Sequence, residues 1–249
     1  MEEKSTARKL GKIFGVLLFM TFLSLTLMSY SLAEFTSYNI IEPAFESMAQ
    51  EKISLNETQL ESQYDGMKQM CSSPGTTELP MTNNITIKCS DIAATTADKI
   101  PALMAKAVFD SVYYKKFDCS FITCLRTLPA QDKASLLLTE KANEFYGKAW
   151  IYFLVAAFAS GALLFAAAET WQSKFKSLGF CLFITGTPYI LLKFLLKKFM
   201  PAETAAQAAP MVDAMINALS MKFLIAMFAG VVLIAIGFMI DFYEKKSNE

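Results

Sequence analysis

The stretch CSSPGTTELPMTNNITIKCSDIAATTADKIPALMAKAVFDSVYYKKFDCSFITC, residues 71–124, decides how the chain is read. It holds Cys71, Cys89, Cys119 and Cys124, four of the five cysteines, and the Asn-Ile-Thr sequon at Asn84. Uncharged segments long enough to cross a bilayer lie on both sides of it. Cysteines gathered in a polar stretch between such segments point to an oxidising exterior, where disulfides persist. Asparagine glycosylation belongs to the same side, and Asn56 opens a second sequon, Asn-Glu-Thr.

Working outward towards the amino terminus, residues 1–12 carry Lys4, Arg8, Lys9 and Lys12, and residues 13–33 are uncharged. A basic start followed by an apolar run describes a first transmembrane helix with a cytoplasmic amino terminus. The ending Ser31-Leu32-Ala33 also fits a cleaved signal peptide, although the run is long for one. Residues 34–148 form the large polar segment. Ile40, Ile41, Phe45 and Met48 continue the first helix outward, with a break expected near Pro43. Ser54-Leu55-Asn56-Glu57 reads as a capping box, and Leu60, Tyr64, Met67 and Cys71 then fall on one helical stripe. Pro74 and Gly75 end that helix. Thr86-Ile87-Lys88 is too short to assign as a strand. Ile100, Leu103, Met104, Ala107, Val108 and Val112 mark a second amphipathic helix, with Pro101 in its first turn. Ala130 to Ala168 reads as one continuous helix with no strong breaker other than Gly147.

Towards the carboxyl terminus, residues 149–168 are a second span with Trp150 and Tyr152 at its interface. Ala157-x-x-x-Gly161 and Ala156-x-x-x-Ser160 place small residues at helix-packing spacing. Residues 169–176 are a short cytoplasmic loop and 177–196 a third span. Residues 197–222 are an outer amphipathic loop containing Asp213, read as an interfacial helix or re-entrant piece over Phe199–Ser220. Residues 223–240 are a fourth span and 241–249 a cytoplasmic tail. The expected fold is therefore all-α: a polytopic protein of the cell membrane with four transmembrane helices, both termini cytoplasmic. A helical, disulfide-stapled extracellular domain stands between the first and second spans. The short loops carry lysines on both sides, so this orientation rests on the cysteines, the sequons and the basic amino terminus.

Four cysteines allow three connectivities. The pairs Cys71–Cys89 and Cys119–Cys124 each close a short local loop; the second requires a non-helical turn, because five residues on a helix is too far for a bridge. The nested alternative joins Cys71 to Cys124 and Cys89 to Cys119. No Cys-x-x-Cys or paired zinc spacing is present, so neither redox nor metal chemistry is expected. Cys181, within the third span, reads as packing or else as a lipidation site.

The third span also holds Thr185-Gly186-Thr187-Pro188. Proline there frees a backbone carbonyl that threonine hydroxyls can satisfy, giving a simple kink or a broken helix beside a pore. Lys193 either snorkels to the interface or lines a pathway. Glu140, Lys141, Glu144 and Lys148 have the spacing of a solvated, ion-paired face.

The chain has no histidine, which excludes histidine-based triads, general bases and haem ligation. Its formal net charge of zero offers no argument for nucleic acid as a partner. No span has a central Asp, Glu or Arg, which counts against a proton- or sodium-coupled transporter. The tryptophan-bearing first-loop signature of claudins and the Cys-Cys-Gly motif of tetraspanins are both absent. With polar residues concentrated in 34–148 and packing residues in the spans, the reading is non-enzymatic and cofactor-free. An interaction or complex-assembly subunit embedded in the lipid bilayer would meet a protein partner through 34–148, or form a homo-oligomer through its small-residue helix faces. A channel or transporter subunit using the third span is the alternative.

Overall fold

The computed structural model describes the backbone of residues 2–52, 57–80, 85–199 and 202–247, and the side chains of 10–47, 61–80, 85–130, 132–187, 216, 217 and 219–246. Ten α-helices and one two-stranded sheet follow in order among them. They are α1 (Glu2–Phe35), α2 (Tyr38–Lys52), α3 (Glu57–Cys71), β1 (Glu78–Pro80), β2 (Thr86–Lys88), α4 (Cys89–Ala93), α5 (Ile100–Tyr113), α6 (Phe121–Thr127), α7 (Ala130–Leu136), α8 (Glu140–Ala167), α9 (Trp171–Phe199) and α10 (Ala202–Ser247). The chain divides into two compact units. One comprises Met1–Glu34, Glu144–Met200 and Met215–Glu249; the other comprises Phe35–Asn143 and Pro201–Ala214.

Among the described residues, three helical segments are long and apolar enough to cross a membrane: Leu10–Phe35, Glu140–Ala167 and Leu219–Lys246. Their large apolar side chains are conspicuously uncovered. Tyr152, Val155, Phe158 and Leu163 on α8, and Leu224, Ile225, Phe228 and Val231 on α10, are all exposed. A contiguous apolar surface of this extent demands a non-aqueous neighbour. The expected span at 177–196 lies on α9, but its side chains from Pro188 onward fall outside the described residues.

In the first unit, helices approach through their smallest residues. A Cβ on Gly15 of α1 would stand 3.2 Å from Leu164 Cα on α8, and one on Gly161 of α8 would stand 3.1 Å from the Phe19 ring. Tyr30 meets Trp150 edge to face at 5.3 Å, so α1 and α8 run antiparallel. The closest seam joins α9 to α10. A Cβ on Gly179 would lie 2.7 Å from Gly230 O, one on Gly230 2.5 Å from Phe183 N, and one on Gly186 2.7 Å from Phe223 O. Backbone is in contact with backbone along this seam, and any larger residue must push the helices apart. Phe19, Leu164 and Cys181 close the core where α1, α8 and α9 meet.

The second unit is held differently. Met67, Leu79, Ile87, Ile92 and Ile100 form a small apolar core, with Tyr64, Cys71, Cys89, Leu103 and Met104 packed against it. The expected stripe on α3 is therefore the buried one at Tyr64, Met67 and Cys71. The helix stops at Cys71, and Gly75 takes φ of 90°, which favours glycine. β1 and β2 pair antiparallel with Leu79 opposite Ile87; both point inward while their neighbours point out. Packing of these two side chains makes a strand of a segment too short to be legible alone. α5 buries two faces. Ile100, Leu103, Met104 and Ala107 meet the small core, while Phe109, tilted, and Tyr113, edge to face, pack against Tyr38 of α2 at ring distances of 5.6 and 5.3 Å. Val108, expected on the buried stripe, is exposed.

Three sequence expectations are corrected. The first helix does not break near Pro43: it ends at Thr36–Ser37, and Pro43 lies inside α2. The turn is fixed by tertiary bonds. Ser37 O accepts from the amides of Ile40 and Ile41, and the fully buried Thr36 accepts from Tyr113 OH through its carbonyl and from Asn143 Nδ2 through its hydroxyl. Ala130 to Ala168 is not one helix but α7 and α8, separated at Leu137–Thr139. Leu136 and Thr139 are both fully buried, and the Thr139 hydroxyl donates to Leu136 O, ending α7. Nor do residues 202–222 form a separate interfacial element, since α10 runs unbroken from Ala202 to Ser247. Asp213's side chain and the capping residues Ser54–Asn56 lie outside the described residues.

Candidate functional site

The second unit contains an open groove of about 460 Å³ between β2 and α5. Ile87, Leu103 and Ala107 give it an apolar floor, and Lys88, Asp91, Lys106 and Asp110 give it a rim of alternating charge. Strand geometry positions the first side. Because residues alternate faces, burying Ile87 in the core exposes Lys88 at the rim. Helix periodicity positions the other, since Lys106 and Asp110 are four residues apart and share one face of α5.

Beneath the rim lies a polar network between α2 and α5. Tyr38 OH donates to Asp110 Oδ1 at 2.7 Å and accepts from Lys106 Nζ at 2.9 Å, with Glu42 Oε1 3.1 Å away. Lys106 also forms an ion pair with Glu42 and lies over the Tyr38 ring, 5.2 Å from its centroid. A phenol has one proton, so the nearer Asp110 takes the donation while the lysine fills a lone pair. Burial raises the Tyr38 pKa above its usual value, and the hydrogen bond to Asp110 raises it further. Burial likewise raises Tyr113, with Glu140 adding to the effect. Both tyrosines thus remain protonated, and the network fixes the charges of α5 in place. Among the described residues no group of three His, Cys, Asp or Glu is arranged to hold a metal.

Cys71 and Cys89, and likewise Cys119 and Cys124, stand in pairs at disulfide distance, each with Cα atoms 5.4 Å apart. This is the short-loop pairing rather than the nested one. Cys119 precedes α6, whose N-cap Ser120 accepts from Thr123 N at 3.3 Å, so the required non-helical turn is present. The first pair borders the small core that supports β2. Asn56 and Asn84 lie outside the described residues.

The third-span residues belong to the first unit. Thr185, Gly186 and Thr187 lie within the unbroken α9, and Pro188 continues its helical backbone. Thr187 Oγ1 donates to Phe183 O at 2.7 Å, whereas the buried Thr185 Oγ1 has no partner among the described residues. Lys193's side chain is outside the described residues. Cys181 is fully buried against Phe19 and Leu164, a packing position out of reach of lipidation. Glu144 and Lys148 pair at 3.5 Å on an exposed face, and Lys141 donates to Phe117 O at 2.6 Å.

Sequence reasoning missed Tyr38, Glu42, Lys106 and Asp110. A signal existed: each pair is spaced four apart and interrupts the apolar face of an amphipathic helix. It missed the glycine seam too, although Gly179 and Gly186, and Gly230 and Gly237, both repeat at seven residues.

No protein-family model matches the chain, and neither a curated protein nor a solved structure matches it.

Proposed function

We propose that this chain is a multi-pass protein of the cell membrane that acts non-enzymatically as an interaction or complex-assembly subunit, receiving a protein partner in the groove between β2 and α5. Four spans, with 177–196 as the third, put both termini in the cytoplasm and residues 34–148 outside. There the two cysteine pairs are oxidised to disulfides, and Asn56 and Asn84 are open to glycosylation. The observation that carries the reading is the groove itself: an apolar floor ringed by alternating charges on a braced support. Such an arrangement suits a protein segment of complementary charge, because rim charges set register and exclude wrong partners.

The test is a photo-crosslinking residue at Ser111, on the groove wall, in the full chain in its native membrane. A discrete adduct that disappears when Lys88→Glu and Asp91→Lys are combined is the expected result. An adduct indifferent to that reversal, or equally strong from an exposed control position at Thr127, would refute the groove as the docking site.

A second reading, a channel or transporter subunit, draws on the buried Thr185 hydroxyl in Thr185–Pro188, which has no partner among the described residues. Flux through bilayers containing purified protein, with ion preference altered by Lys193→Met, would favour that reading over the first.

A further inference from the structure

At the end of the first unit that carries Lys12, three helices converge on a cleft of about 590 Å³. α1 contributes Lys12, the start of α9 contributes Ser173, Lys176 and Ser177, and α10 contributes Ile234 and Phe238. The cleft is lined by both polar and apolar side chains. The polar groups are two lysine ammonium groups and the hydroxyls of Thr170, Ser173 and Ser177, beside the amide of Gln172. The apolar side chains are Phe180, Ile234 and Phe238.

Not all the polar groups are equally available. Lys176 pairs with Asp241 at 2.8 Å and lies over Phe238, 4.2 Å from its centroid. Gln172 bonds to Glu244. Lys12 donates to a neutral group, Ser173 Oγ at 2.8 Å, and Ser173 N in turn donates to Thr170 Oγ1 at 3.3 Å. Lys12 therefore has a hydroxyl rather than a carboxylate as its partner among the described residues, in a pocket at the positive end of the α9 dipole. Lys174 adds a third cation at the same end, 4.5 Å above the Phe165 ring and 4.6 Å above the Trp171 ring. The exposed Trp171 marks this level as a membrane–water interface.

We infer that this cleft is a binding site for the headgroup of a net-negative phospholipid. The phosphate is received by Lys12 and Ser173, and an acyl chain lies along Phe180 and Phe238. Hydroxyls and ammonium groups supply the donors a phosphate oxygen needs. A basic pocket between spanning helices is the arrangement that recognises such headgroups. The apolar side chains argue for an amphiphile over a free anion. Phe180 and Phe238 are both well exposed and lead from the cleft onto the uncovered apolar surface of α10, where a chain, but not water, would be stabilised.

The experiment uses the delipidated full-length protein, titrated in detergent with phosphatidylglycerol, phosphatidylcholine or inorganic phosphate and read by native mass spectrometry. Phosphatidylglycerol is expected to bind at least about fivefold more tightly than phosphatidylcholine, which is the effect of one interfacial lysine. Lys12→Gln should weaken phosphatidylglycerol by about the same factor. Lys12→Arg should restore it, and Lys148→Gln at the opposite end should leave it unchanged. Competition by millimolar inorganic phosphate would support the phosphate contact. Equal affinity for the two lipids, or indifference to Lys12→Gln, would overturn the site. Binding of inorganic phosphate alone, with no retained lipid, would make it a free-anion pocket and overturn the amphiphile.

Discussion

The two units of this molecule achieve close packing by opposite means. In the cysteine-bearing unit, large side chains fill a small core, with Cys71 at disulfide distance from Cys89 and Tyr38 bonded among Asp110, Lys106 and Glu42. In the helical unit the closest contacts have almost no side chain. Gly179 meets Gly230, and Gly186 meets the backbone at Phe223. The difference follows from the solvent each unit is built for. In water, burying apolar side chains supplies the driving force. Between helices in lipid that force is absent, and van der Waals contact at short range takes its place, favouring small residues. The large apolar side chains of α8 and α10 consequently face outward.

The sharpest way to break this comparison is to add volume to the seam. Gly230→Leu puts atoms where Phe183 N and Gly179 O already stand, and backbone cannot yield as a side chain can. We expect a loss of at least about 3 kcal/mol, the upper end of overpacking effects, or failure to accumulate folded protein. Gly11→Ala, with nothing within 4 Å, should be silent or slightly stabilising. Equal thermal stability of the two variants in detergent would remove the seam from the account.

Next in size is removal of the cysteine pairs. Replacing Cys71 and Cys89 by alanine opens a loop of separation 18 and should destabilise the cysteine-bearing unit by about 3 kcal/mol. The same change at Cys119 and Cys124, separation 5, should be smaller, about 2 kcal/mol. Denaturant melts of the double variants give the ranking, and peptide mapping without reduction tests the pairing. Free thiols at Cys71 and Cys89 would show that this unit stands without its staple.

A smaller effect is expected at Tyr38→Phe, which deprives Asp110 and Lys106 of a shared partner. A loss of about 0.5–1.5 kcal/mol at neutral pH is the usual result of removing such a hydrogen bond where water can replace it. The pH dependence sharpens the assignment. The Tyr38 phenol has a raised pKa in the folded state, so its contribution is complete below the unfolded tyrosine value of about 10. That contribution is lost as pH rises from there towards the folded value, because only the unfolded chain then releases the proton. Stability of the wild type should therefore fall more steeply above pH 10 than that of Tyr38→Phe. Parallel profiles would exclude the buried phenol as the cause. The smallest change should be Lys148→Ala. Its ion pair with Glu144 is largely exposed, and less than about 0.5 kcal/mol is at stake.

Several features were legible in the sequence because they depend on local pattern. The uncharged runs at 13–33 and 223–240 lie within segments able to cross a membrane, and the run at 149–168 overlaps the third such segment as far as Ala167. The end of α3 and the start of α5 followed from Pro74, Gly75 and Pro101, residues whose own backbone restricts the chain. The short-loop cysteine pairing was favoured for the same reason, since few residues separate the partners.

What required the tertiary structure is where distant segments meet. Pro43 looked like the break, yet the chain turns at Thr36, which is fixed by Tyr113 and Asn143, residues 77 and 107 positions away. Ala130–Ala168 contains no strong breaker, and burial of Leu136 and Thr139 decides its division. The groove joins a strand of three residues to a helix that begins twelve residues after it, and the lysine cleft joins α1, α9 and α10. Hydrophobic length and backbone restriction act on a residue through its immediate neighbours, so the sequence determined the spanning runs and helix ends. Packing, pairing of charges and the glycine seam depend on which atoms share a surface, and only the folded chain decides that.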